Sequence, residues 1–163
     1  MIIIGIDPGL SGGIAVIDNN KVIDLFDMPV MADGKKNKKQ LNSALLAKLI
    51  KESTSNTSES AVIVEQVNAM PGQGVTSMFN FGQTFGAIKG ICATLELPIF
   101  FVRPSKWKKH FELINSSKDA SRTKAIEMYP RLAEKLSKKK DVNKSDAILI
   151  ARFYCETRLK EES

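Results

Sequence analysis

Three carboxylates stand at the ends of apolar runs. The segment MIIIGIDPGLSGG passes from four apolar residues through Gly5 to Asp7 and then into a glycine-rich turn. AVIVEQV (61–67) repeats the pattern, a short apolar run that reaches Glu65. Asp146 heads KSDAILIA, with Leu149, Ile150 and Phe153 three, four and seven residues on, along one helical face. Strands buried in an α/β sheet present their carboxyl ends as a crevice for ligands. Acids gathered there repel one another, and burial adds to the cost. A divalent cation offsets both, and Mg²⁺ favours a few carboxylates completed by substrate phosphates.

Singly, each acid has an ordinary structural reading. Asp7-Pro8-Gly9 is common turn chemistry. Glu65 can be the polar end of a strand, and Asp146 an acid in a first helical turn capped by Asn143. Gly9, Gly12 and Gly13 clear side chains from around Asp7, so that a bulky charged backbone can approach. A glycine turn also cradles nucleotide phosphates, so this feature leaves DNA and ATP both open.

The elements that must position these acids follow from periodicity and punctuation. IIIGID (2–7) is a β-branched run typical of a buried strand. GIAVID (13–18) and KVIDLFDM (21–28) flank a DNNK turn signal and read as a hairpin. ADGKKNKKQ (32–40) reads as a lysine-rich loop containing Lys35, Lys36, Lys38 and Lys39. Helical spacing follows over 41–52, a strand over 61–67, a loop over 69–74 and a long helix over 75–97 ended by Pro98. A strand over 98–104, a helical basic stretch to 140 and a helix over 143–161 complete the chain. Hairpin-linked strands followed by alternating helices and strands predict an α/β layer on a mixed sheet, with no linker or repeat to divide 1–163 into domains.

The 163 residues suit one domain with a sizeable core. No apolar stretch reaches the ~18 residues of a membrane span, and no secretory signal is evident. Cys92 and Cys155 are far apart and read as thiols of a reducing cytoplasm. The 24 basic residues against 18 acidic give a net charge of +6, which suits a polyanionic partner. From Arg103 to Lys140 there are twelve Lys and Arg against four acids, a concentrated phosphate-binding footprint; a solvated helical face is the plainer reading. His110, the only histidine, reads as a surface or groove residue, and Trp107 as packed.

Together these motifs resemble the RuvC-like Holliday junction resolvases of the ribonuclease H-like superfamily. GIDPGLSGG is similar to that family's first motif and VEQV to its second; GQTFGAIKGI, LPIFFVRPSKWKK and KSDAILIA resemble the later helix, strand and last motif. The short chain and the KKKDVNKSDAILIAR ending look more like bacteriophage-type members. The resemblance implies a ribonuclease H-like mixed five-stranded sheet flanked by helices, and a crossover junction endodeoxyribonuclease that cuts four-way junctions by paired symmetric nicks. It implies Asp7, Glu65 and Asp146 as ligands of two Mg²⁺ per site, with Mn²⁺ as substitute and no nucleotide cofactor. The family's fourth ligand is expected at Asp141, with Asn143 the alternative. Arg103, Lys106, Lys108, Lys109, Lys118 and Arg122 are expected on DNA, as are Asn68 and Gln73. Asn68 replaces an aromatic found in many bacterial members, and Met70 and Phe79 are the apolar residues nearby. A homodimer is implied through the helix around 75–96, with Phe79, Phe81, Phe85 and Ile88 as contacts. The expected setting is the cytoplasm of a bacterial or phage-infected cell. Three alternatives stay open: a broader flap or fork nuclease of the same fold, a non-catalytic junction-binding protein, and an ATP-binding piece of the sugar-kinase and actin type. The last needs a second comparable domain, for which 163 residues leave no room.

Overall fold

In the computed structural model, which describes residues 1–34, 37–57 and 59–161, a five-stranded mixed sheet carries helices on both faces. In chain order the elements are β1 (Ile2–Asp7), β2 (Gly13–Asp18), β3 (Lys21–Asp27), β4 (Val30–Ala32), β5 (Lys39–Leu41), α1 (Ser43–Thr54), β6 (Ser60–Glu65), α2 (Val75–Thr94), β7 (Ile99–Val102), α3 (Pro104–His110), α4 (Ala120–Met128) and α5 (Val142–Glu161). The sheet order is β3-β2-β1-β6-β7. β1 is antiparallel to β2 and parallel to β6, which is parallel to β7. Asn19 and Asn20 both take positive φ between β2 and β3, as a two-residue hairpin turn of matching twist requires.

Side chains alternate across a strand, and this fixes where the acids point. Ile2, Ile4 and Ile6 of β1 pack with Val62 and Val64 of β6, under Leu46 and Ile50 of α1 and Ile88 and Cys92 of α2. Ile3, Ala61 and Ile63 face the other way, onto Trp107 of α3 and Leu149, Ile150 and Ala151 of α5. By the same alternation Asp7 and Glu65 belong to the α5 face. Ile6 pairs with Val64, so the two acids follow one step later at the same end of neighbouring strands.

That face is lined with small residues. A Cβ on Gly5 would lie 2.2 Å from the carbonyl oxygen of Ala147, and one on Gly13 would lie 2.8 Å from Cα of Lys144. Helix α5 therefore rests directly on β1 and β2, with Ala147 to Ala151 fully buried.

Two expectations change here. The lysine-rich stretch over 32–40 is closed at both ends by a small sheet, β4 paired with β5; Lys35 and Lys36 lie outside the described residues. Gly12 and Gly13 do not leave room for DNA: the turn's own backbone closes on Gly12, and the start of α5 on Gly13. Of the three glycines only Gly9 has open contact distances, its nearest atom 3.8 Å away.

Close packing predicts an asymmetry between neighbouring glycines. Gly5→Ala should destabilise the protein by ~2 kcal/mol or more through forced displacement of α5. Gly9→Ala should change stability by less than ~0.5 kcal/mol. Urea unfolding of the two variants checks this, and equal midpoints would contradict it.

Candidate active site

Asp7, Glu65 and Asp146 converge at one end of the sheet, two delivered by parallel strands and the third by α5, just past its first turn. They are close enough to act on one another. Asp7 is pushed up to about 7, first by burial and then by the charges of Glu65 and Asp146. Asp146 rises to about 6, again mainly through burial, with Glu65 adding repulsion and the Ser121 hydroxyl opposing it. Burial raises Glu65 as well, against the lowering effects of the Trp107 indole and the Lys108 ammonium.

Each acid has a distinct support. The Gly9 N–H reaches Oδ1 of Asp7 at 3.4 Å, a long contact within the turn. Nε1–H of Trp107 donates to Oε2 of Glu65 at 2.7 Å. Oδ1 of Asp146 is buried with no hydrogen-bond partner among the described residues. The positive charge of Lys108 favours the ionised form of all three acids, and Lys108 lines the pocket beside Asp146. An open pocket of about 350 Å³ runs from Asp146 past Lys108, Lys118, Ser117, Ser121 and Asn143.

Among the described residues, no three Asp, Glu, His or Cys side chains converge tightly enough to enclose an ion unaided. Mg²⁺ seldom needs that, because it keeps waters and takes substrate phosphate oxygens beside one or two carboxylates. The donor set fits such an ion. It is all hard oxygen, it is desolvated, and a buried carboxylate oxygen lacks a partner among the described residues.

Asp141 does not join the three. It is 3% exposed, accepts the Lys138 N–H at 2.9 Å and is paired with Lys144 at 3.0 Å, and these partners hold its carboxyl below the usual range against the opposing effect of burial. Lys144 also reaches Asp27 at 3.3 Å, which ties the start of α5 to β3. The helix starts at Val142, earlier than the expected 143, so Asn143 lies inside the first turn and is not its cap. Its amide donates to the Ser11 carbonyl and fastens the glycine turn to α5, while also lining the Asp146 pocket.

The basic residues divide. Lys108 and Lys118 line the Asp146 pocket, and Lys109 and Arg103 are exposed on and before α3. Lys106 lines a different groove, beside Phe100 and Phe101 of β7. Arg122 is a strut: it makes a forked pair with Asp119 at 2.7 Å and donates to the Leu136 and Ser137 carbonyls. Asn68 and Gln73 lie on the loop before α2, where Gln73 accepts the Met70 N–H and both line a small cavity against Phe81 and Phe85. His110 is a half-buried link between α3 and α5, bonded to Glu156 at 2.6 Å. Ser121 escaped the sequence reading, since a serine in a basic helix carries no periodic signal.

The raised Asp7 carboxyl predicts a pH-dependent cost. The folded group holds its proton up to about pH 7, against an ordinary value of 3.8, so its contribution to stability falls as pH rises through that window. In EDTA at pH 8, Asp7→Asn should melt several degrees above the parent, at ~2–4 °C per kcal/mol for a chain this long. The gain should vanish towards pH 4. Equal melting at pH 8, followed by circular dichroism, would contradict it.

The comparisons with known proteins agree with this architecture. The family model described as "Crossover junction endodeoxyribonuclease RuvC" matches residues 3–153. Among solved structures, T. thermophilus RuvC in complex with Holliday junction substrate superposes with a TM-score of 0.65 at 17% identity, over 97% of this chain and 96% of that one. A second Thermus thermophilus RuvC structure gives 0.57 at 18% identity, over 97% of both chains. No curated protein matches. The family match spans both strand-end acids and the head of α5, and the chain accordingly belongs to the RuvC family of crossover junction endodeoxyribonucleases, which are metal-dependent.

Proposed function

We propose that Asp7, Glu65 and Asp146 hold two Mg²⁺ ions with which this chain resolves four-way DNA junctions, Mn²⁺ serving as substitute. The observation that carries the reading is the gathering of three desolvated carboxylates, with Oδ1 of Asp146 left unpartnered among the described residues. When bound, such ions lower the pKa of a water nucleophile and stabilise the leaving 3′ oxygen. The chain's own residues supply the rest. Gly9 leaves the rim of Asp7 open to a phosphate, and Lys108 and Lys118 offer charge along the pocket the strand would follow. No protein nucleophile is needed. A related RuvC is described with a Holliday junction substrate, which favours branched DNA as this chain's partner.

A homodimer suits a substrate with two strands to cut symmetrically. Support comes from α2, whose outward face carries Gly82, Gly86 and Gly90 at four-residue spacing with open space around each, beside an exposed Phe79. A second helix can approach such a face closely. For the fourth position of the site, Asn143 lines the Asp146 pocket, whereas Asp141 is engaged by Lys144.

The test uses a synthetic four-way junction beside a flap and a linear duplex. The parent should place paired symmetric nicks on the junction with Mg²⁺ and none in EDTA. Asp7→Asn, Glu65→Gln and Asp146→Asn should each lose cleavage by a factor of at least ~10³ while binding the junction within about threefold of the parent. Full turnover in any one removes that residue from the metal site. Equal cutting of the flap would make the chain a broader branched-DNA nuclease, and binding without cutting would make it a recognition protein.

A further inference from the structure

Glu65 is the one acid of the three that is held by an aromatic N–H among the described residues. The donor is unusually fixed. Trp107 is fully buried on α3, packed with Ile3, Ala61, Ile63 and Val102 of the sheet and Leu149 and Ile150 of α5. A buried indole needs a partner for its N–H, and a backbone carbonyl would satisfy it. Here the partner is a carboxylate of the candidate metal site, 2.7 Å away and 42 residues distant in sequence.

We infer that Trp107 is a positioning residue: its immobile N–H pins Oε2 of Glu65 and so presents Oε1 to the metal. An indole N–H only donates and does not ionise in the working range, so the orientation holds whatever the protonation of the other acids. The next residue, Lys108, holds its ammonium 5.3 Å from the centre of the indole ring and lines the pocket beside Asp146. The basic helix α3 therefore serves the site from its buried side as well as its exposed one.

The inference rests on reading Glu65 as a ligand, and its test separates the two. Trp107 is the only tryptophan, so an analogue can replace it throughout the full-length protein. β-(3-benzothienyl)alanine keeps the ring shape with sulfur in place of N–H, whereas 5-fluorotryptophan keeps the N–H. Mn²⁺ affinity is measured directly from free Mn²⁺ by electron paramagnetic resonance, and the Mg²⁺ midpoint for junction cleavage beside it. The sulfur analogue should weaken Mn²⁺ binding about tenfold and raise the Mg²⁺ midpoint similarly, with junction binding in EDTA unchanged. The fluorinated protein should match the parent. Parent-level Mn²⁺ affinity without the N–H overturns the positioning role, as does an equal fall in the fluorinated protein. Parent-level affinity in Glu65→Gln overturns the ligand reading instead.

Discussion

The contact between α5 and the backbone of β1 and β2 is the constraint on which the rest depends. With no side chain at Gly5 or Gly13, the helix comes down until Ala147 and Lys144 touch the strands. Only at that distance does Asp146, one residue before Ala147, arrive beside the strand-end acids. Asn143 on the Ser11 carbonyl and Lys144 between Asp27 and Asp141 fix the helix's first turn in angle and register. Gly5 and Gly13 thus serve as helix seats, and the site's geometry is inherited from backbone packing.

What this packing assembles is electrostatically costly. Burial and mutual repulsion lift Asp7 to about 7 and Asp146 to about 6, so the fold holds these groups against their preference for water. Trp107, Ser121 and Lys108 offset part of that cost, each from the basic segment between β7 and α5. A metal and the phosphates of a DNA strand would supply the remainder. Stability given up at a catalytic centre in this way is a familiar balance in enzymes. It explains why the basic segment packs inward at Trp107 and Ser121 while exposing Lys109 and Lys118.

Much of this was legible in the residues. The β-branched runs ending in Asp7 and Glu65, the Asn-Asn turn, the alternation of helices and strands, and the apolar face behind Asp146 all follow from period and punctuation. So did the mixed five-stranded sheet, through resemblance. Which side chains would pair was not legible, whether near in sequence or far. Lys144 lies on the helical face that meets Asp141, and this occupies the acid expected as a fourth ligand. Arg122 sits three residues from Asp119 and folds onto it, so charge counted as free for DNA is bound locally. Gly13 read as space for a ligand because sequence does not reveal which neighbour fills a missing side chain. Trp107 read correctly as packed, but the carboxylate its N–H reaches comes from a strand 42 residues earlier.

The central claim is that α5 brings Asp146 into one metal-binding group with Asp7 and Glu65. Calorimetry of Mn²⁺ binding at pH 6, in buffers of different ionisation enthalpy, tests it most directly. Carboxyls raised to about 7 and about 6 still hold protons there, and binding must release them. The account predicts buffer-dependent heats equivalent to on the order of one proton per chain, reduced in both Asp7→Asn and Asp146→Asn. Heats that do not depend on the buffer, or that Asp146→Asn leaves unchanged, would contradict it.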